Sequence, residues 1–149
     1  GGLIIYPNGK FLRQMNAKDG YAIKLAIKNN YTIAIITGGR EENIKTRFEN
    51  LGVSEVNLGV HNKLPVLKNF MSNNNFKKEE VLYMGDDIPD IECLNYVGFS
   101  CCPTDASTDV IEICDYISDK KGGEGCVRDV IEQTLRVTKK WTLDGIIKY

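Results

Sequence analysis

The sequence predicts an α/β fold with a parallel sheet, on three observations. Short apolar runs rich in β-branched residues alternate with segments of helical period, the order that right-handed β-α-β crossovers require. The run Tyr31-Thr32-Ile33-Ala34-Ile35-Ile36 shows little polar alternation, as expected of a strand covered on both faces. The run Val81-Leu82-Tyr83-Met84 reads as a buried strand and ends abruptly in Gly85-Asp86-Asp87. Polar groups at that end of a parallel strand stand on the edge where ligands bind in such sheets.

The elements follow in order. Gly2 to Tyr6 and Phe11 to Met15 flank Pro7-Asn8-Gly9-Lys10, an Asn-Gly turn that predicts a β-hairpin. Asn16-Ala17-Lys18-Asp19-Gly20 leads into a helix from Tyr21 to Asn29, with Asp19 as its expected cap. After the strand ending at Ile36 comes Thr37-Gly38-Gly39-Arg40, then a helix over Glu41 to Asn50, with Ile44, Phe48 and Leu51 at helical spacing. A short strand is expected near Val56 to Leu58, and a helix from Asn62 to Phe70 with Leu64, Leu67 and Phe70 on one face. Pro89 suits an early position of the helix that follows the acidic strand end. Further on, Val97 to Cys101 and Asp115 to Ile117 read as strands, with a helix closing over Val110 to Ile113 between them. Gly122-Gly123-Glu124-Gly125 reads as a turn before a helix from Cys126 to Val137.

At 149 residues the chain is expected to form one domain with a core of two or three layers. Its 19 basic and 20 acidic residues leave a formal charge of -1, so no broad electrostatic footprint for nucleic acid or an anionic membrane is expected. No apolar run approaches the roughly 20 residues that span a bilayer, and a cytoplasmic location is the expectation. Cys93, Cys101, Cys102, Cys114 and Cys126 have neither paired spacing nor a histidine set, so they are expected to be reduced and structural rather than zinc ligands. His61 is the sole histidine, and a Ser-His or Cys-His mechanism is not expected.

Three chemical features fall at strand ends on one expected edge: Thr37-Gly38, Lys63 opening a helix, and Asp86-Asp87. A threonine hydroxyl with its neighbouring N–H suits phosphate oxygens, a lysine neutralises them, and a carboxylate suits Mg²⁺, a hard cation that prefers oxygen. Together they are the equipment of phosphoryl transfer. Each also has a plainer reading: Thr37 or the acid pair as helix caps, Lys63 as a solvated charge, Arg47 as a helix surface charge, and Asn16 to Gly20 or Gly122 to Gly125 as turns.

The sequence resembles the haloacid dehalogenase superfamily, and within it the small cap-less 3-deoxy-D-manno-octulosonate 8-phosphate phosphatases. The matching stretches are the hairpin, Asn16 to Tyr21, Ala34 to Gly38, Asn62-Lys63-Leu64, Gly85-Asp86-Asp87 with Asp90, and Gly122 to Gly125 with Arg128. The resemblance implies a Rossmann-like three-layer domain without a cap, which hydrolyses a phosphorylated eight- or nine-carbon keto-sugar acid with Mg²⁺. It implies Asp86 as the metal ligand, Asp87 and Asp90 as accompanying acids that orient metal-bound water and Lys63, Thr37 and Gly38 as phosphate binders, and Lys63 as the charge stabiliser. It implies substrate contacts at Asn16, Ala17, Lys18, Asp19, Gly20, Lys24, Gly38, Gly39 and Arg47, with Arg47 suited to the carboxylate of a sugar acid and Gly39 departing from the larger polar residue of relatives. It further implies a homotetramer whose hairpins pack together and whose neighbouring subunits cover the active site.

Relatives carry, ahead of the position of Gly1, a strand ending in Asp-x-Asp-Gly whose first acid attacks phosphorus. No such motif stands in these residues, so the resemblance implies a domain lacking its first strand, with nucleophile and general acid/base outside this sequence. The rival expectations are a catalytically silent assembly domain associated with a sugar-acid cytidylyltransferase and a receiver-like phospho-acceptor domain.

Overall fold

The computed structural model of the protein describes residues 3–8 and 11–141. The chain opens with strands β1 (Leu3–Ile5) and β2 (Phe11–Arg13), paired antiparallel as the expected hairpin. Gly9 and Lys10 of its turn, the leading glycines and residues 142–149 lie outside the described residues.

Helix α1 runs from Ala17 to Lys28, four residues ahead of its expected start. Asn16 caps it, its Oδ1 accepting the Lys18 N–H at 2.9 Å, so Asp19 is not the cap. Asp19 lies inside the first turn and accepts the N–H of Arg128 at 2.8 Å instead. An N-cap oxygen satisfies one of the orphan donors of a first turn, and Asn16 does so one residue ahead of Ala17.

Two parallel pieces of sheet follow. Strand β3 (Ala34–Ile36) pairs with β4 (Glu55–Asn57), and helix α2 (Glu42–Glu49) crosses between them. Helix α3 (Lys63–Asn73) leads to β5 (Leu82–Met84), which pairs with β6 (Phe99–Cys102), and β6 in turn pairs with β7 (Tyr116–Ile117). A 3-10 turn over Ile88–Asp90 and the short helix α4 (Ile91–Leu94) follow β5. The short helix α5 (Thr108–Ile111) links β6 to β7, and α6 (Cys126–Val137) closes the chain with the bounds read from sequence.

Alternation along β3 fixes three layers. Ile33 and Ile35 point into a core with Ile23 of α1, Leu51, Val53, and Val127 and Ile131 of α6. Ala34 and Ile36 point the other way, against Leu67, Phe70 and Met71 of α3. A period of two on a strand between two helical layers gives this partition.

The sheet is interrupted between β3 and β5. Among the described residues β3 pairs only with β4 and β5 only with β6, so each presents one unpaired edge. The two pieces share a floor: Ala34 and Ile36 from one, and Val81 and Tyr83 from the other, pack on one buried cluster of Leu67, Phe70 and Met71 of α3 with Cys93 of α4. Strands so placed are not fully enclosed, and Leu82 is 38 % exposed, which corrects the expectation of a buried run. All five cysteines are free, four of them buried, and burial pushes the Cys114 thiol up to about 12. Among the described residues no helix is long and apolar enough to cross a membrane.

Because Leu67 is one of three buried residues of α3 in the cluster beneath both sheet pieces, Leu67→Ala is expected to cost about 2–5 kcal/mol, read as a lowered urea midpoint. A cost under about 1 kcal/mol would show that α3 does not bind the two pieces together.

Candidate functional site

The site is built around Asp90, which is 3 % exposed. A carboxylate so buried must be saturated with donors. Its Oδ1 accepts Lys63 Nζ at 2.8 Å and the Tyr83 hydroxyl at 2.7 Å, and its Oδ2 accepts the N–H groups of Asp86 at 3.2 Å and Asp87 at 3.4 Å. Local backbone supplies the geometry. Gly85 ends β5, and a Cβ there would stand 2.4 Å from the Asp90 Cβ, so only glycine lets the 3-10 turn fold its acid back under the strand end. Lys63 is the first residue of α3, and its side chain is nearly buried by the ion pair.

Tyr83 is the residue that sequence reasoning missed. Burial pushes its phenol well above the ordinary range, and the Asp90 charge beside it acts in the same direction, so it remains a donor. In sequence it reads as one more apolar residue of a strand; a hydroxyl at a buried position, which needs a partner, was the available signal.

Asp87 accepts the N–H of Ile88 at 2.8 Å, so it does cap the following turn. Asp86 is exposed at the strand end, and its carbonyl accepts the N–H of Ser107 at 2.9 Å. Thr37 stands at the end of β3: its Oγ1 accepts the Gly39 N–H at 3.1 Å, and its carbonyl accepts the N–H of Val60 at 2.9 Å. Val60 belongs to the loop that leads into Lys63, so Thr37, Lys63 and the Asp86-Asp87 pair are joined through Val60 and Asp90. Gly38 is exposed and carries no side chain to obstruct a ligand.

The remaining predicted contacts form a second group around the start of α1. Arg47 lies over Gly20, with its guanidinium 2.8 Å from where a Cβ would stand, and Leu51 closes the same space. Gly125 lies beside the Asn16 amide and Gly123 beside the Gln14 carbonyl, so the glycine turn abuts the α1 entrance. Burial raises the Asp19 carboxyl above its ordinary range, against the lowering effect of Arg128. Ala17 and Lys18 are exposed on the first turn, and Lys24 is half-buried further along α1. At Gly39, Glu41 and its ion-pair partner Arg13 of β2 fill the space a side chain would take.

Among the described residues no three His, Cys, Asp or Glu side chains gather to hold a metal ion. The donors fit Mg²⁺ in another way, because this ion is commonly held by one or two carboxylates and completes its shell with water and phosphate. Asp86 at an exposed strand end is such a carboxylate, and beside its loop the buried Ser107 hydroxyl oxygen lacks a hydrogen-bond partner.

A family model of haloacid dehalogenase-like hydrolases matches residues 53–131. The 3-deoxy-D-manno-octulosonate 8-phosphate phosphatase KdsC of Salmonella typhi is 34 % identical over 128 residues, covering 86 % of this chain and 68 % of that one. The solved phosphatase of that name from Yersinia pestis superposes with a TM-score of 0.91 at 31 % identity, over 97 % of this chain and 77 % of the other. That of Moraxella catarrhalis, solved with magnesium, phosphate and a KDO molecule, gives 0.87 at 28 % identity, over 91 % and 78 %.

Two outcomes follow from the Asp90 network. Gly85→Ala is expected to cost about 1–3 kcal/mol in urea unfolding and to displace Asp90 from Lys63, since the added Cβ has no room. The Tyr83 proton is held more tightly in the folded state, so its support of the fold is present below pH 10.0, the ordinary phenol value, and lost as pH rises above it. Tyr83→Phe is therefore expected to flatten the alkaline fall of stability above that pH, and an unchanged fall would refute the buried donor.

Proposed function

We propose that this chain, which belongs to the haloacid dehalogenase-like hydrolases and within them to the 3-deoxy-D-manno-octulosonate 8-phosphate phosphatase family, is the body of a Mg²⁺-dependent phosphatase for that sugar acid ester or a related nonulosonate 9-phosphate. The observation that carries the reading is the buried Asp90 carboxylate, which fixes Lys63 beside Asp86 at one rim. An ion pair with such burial is costly to assemble, and a silent assembly domain has no physical need for it.

Each group then has a task. Thr37 and the open backbone at Gly38 receive phosphate oxygens, while Lys63 balances charge that builds on them in the transition state. Asp90 orients Lys63, and Asp87 caps the turn that carries Asp90. Asp86 would hold the Mg²⁺, which when bound would supply positive charge against the phosphate oxygens. Asn16 to Gly20, Lys24, Gly39 and Arg47 contact the sugar acid.

The proposed reaction runs through an aspartyl-phosphate on an acid that these residues do not include. Support comes from the unpaired edges of β3 and β5 above the common floor of α3, where one further parallel strand would complete the sheet of a single domain. For the proposed homotetramer, support comes from the hairpin, where Ile4, Ile5 and Tyr6 are 63 %, 67 % and 47 % exposed.

The test is phosphate release from 3-deoxy-D-manno-octulosonate 8-phosphate by the full-length protein, with Mg²⁺ and after its removal by chelation. Activity is expected to need the ion, and Asp86→Ala to lower kcat by about 10²-fold or more. Undiminished turnover in that variant would end the metal assignment.

A further inference from the structure

We infer that Tyr83 is a positioning residue for phosphoryl transfer, an assignment that rests on the phosphatase reading above: by donating to the Asp90 oxygen that also holds Lys63, it sets the direction in which the Lys63 ammonium meets the phosphate. Tyr83 comes from the middle of β5 and acts only through Asp90.

A carboxylate offers lone pairs in fixed directions in its own plane, two on each oxygen. On Asp90 all of them are engaged. Oδ2 receives the N–H groups of Asp86 and Asp87, while Oδ1 receives the Tyr83 hydroxyl at 2.7 Å and Lys63 Nζ at 2.8 Å. With the phenol on one lone pair of Oδ1, the ammonium is confined to the other. A hydroxyl buried merely for packing would need only some acceptor; this one takes the oxygen that the lysine uses.

The phenol can set that direction because the core holds its ring. Tyr83 packs against two buried clusters, one of Leu67, Phe70, Met71 and Cys93 and one of Leu94, Cys102 and Val110. Lys63, by contrast, carries its charge on a flexible four-carbon stem. Its single bond to Oδ1 leaves the ammonium two further N–H groups, and its side chain stays 15 % exposed, so those groups have an open side. If the second lone pair of Oδ1 were free, the ammonium could swing across the oxygen and turn them away from Thr37 and Gly38. Transition-state stabilisation depends on donors already aimed where charge develops, so a loss of direction is paid in rate rather than in substrate binding.

The test is steady-state phosphate release from 3-deoxy-D-manno-octulosonate 8-phosphate by the full-length protein at saturating Mg²⁺, comparing wild type, Tyr83→Phe, Lys63→Gln and the double variant. Phenylalanine keeps the ring in the core, and glutamine keeps a donor for Asp90 while removing the charge. Tyr83→Phe is expected to lower kcat about tenfold and to leave KM within about twofold. Replacing the hydroxyl by an amino group, as 4-aminophenylalanine at position 83, restores a donor and is expected to recover most of the loss. In the Lys63→Gln background Tyr83→Phe is expected to cost less than about twofold, because the ammonium it aims is gone. An unchanged kcat in Tyr83→Phe, a loss carried by KM, no recovery with the amino group, or equal losses in the two backgrounds overturns this assignment alone, and the phosphatase reading stands on the wild-type turnover. Absence of phosphate release by the wild-type protein overturns that reading and this assignment together.

Discussion

The architecture of the site depends on one buried carboxylate. Asp90 must find donors for both oxygens, because an unpaired charge in this environment would cost several kcal/mol. Its donors come from three separate stretches of chain: the start of α3, the middle of β5 and the loop after it. Satisfying Asp90 therefore docks α3 against β5 and fixes the loop that carries Asp86 and Asp87. Packing orders the same elements independently, since Tyr83 packs on the buried cluster of Leu67, Phe70, Met71 and Cys93 while its hydroxyl reaches the acid. Core and site are thus two ends of one side chain.

A second constraint is the shared floor. Among the described residues the two sheet pieces do not hydrogen-bond to each other, yet both rest on the buried cluster that α3 and Cys93 of α4 supply. Hydrogen bonds along a sheet are directional and need a partner at each edge, whereas burial on a helix is not directional and tolerates a gap. This explains how β3 and β5 keep a common rim with Thr37 at one strand end and Asp86 at the other.

Much of the fold is legible in the sequence because its strands are short and strongly apolar and its helices carry clear periods. The helix over Cys126 to Val137 is read with its observed bounds, since the Gly125 start and the amphipathic run leave no rival. The start of α1 is misread because Asn16 and Asp19 both look like caps; burial decides between them by engaging Asp19 with the backbone of Arg128, more than a hundred residues away in sequence. Long-range partners of this kind leave no local signal. The same holds for Tyr83, which looks apolar until Asp90 is placed beside it. Of the site, the residue types and their order are legible, while the donor count on Asp90 and the pairings of Arg13 with Glu41 and Arg40 with His61 belong to tertiary structure alone.

The glycines connect these observations. Arg47 lies on Gly20, Glu41 and Arg13 on Gly39, Arg40 on Gly59 and Asp90 on Gly85, so each pairs a charged side chain with backbone that lacks a Cβ. A long charged side chain in open solvent samples many rotamers, and ordering it on binding opposes affinity by about 1–2 kcal/mol. Laying it on bare backbone spends that ordering during folding, when burial elsewhere offsets it. The cost is borne by glycine, whose unfolded freedom is the largest of any residue. Read this way, the glycines at 20, 39, 59 and 85 are part of the charged machinery rather than flexible punctuation, and their positions trace the rim on which the charges are held.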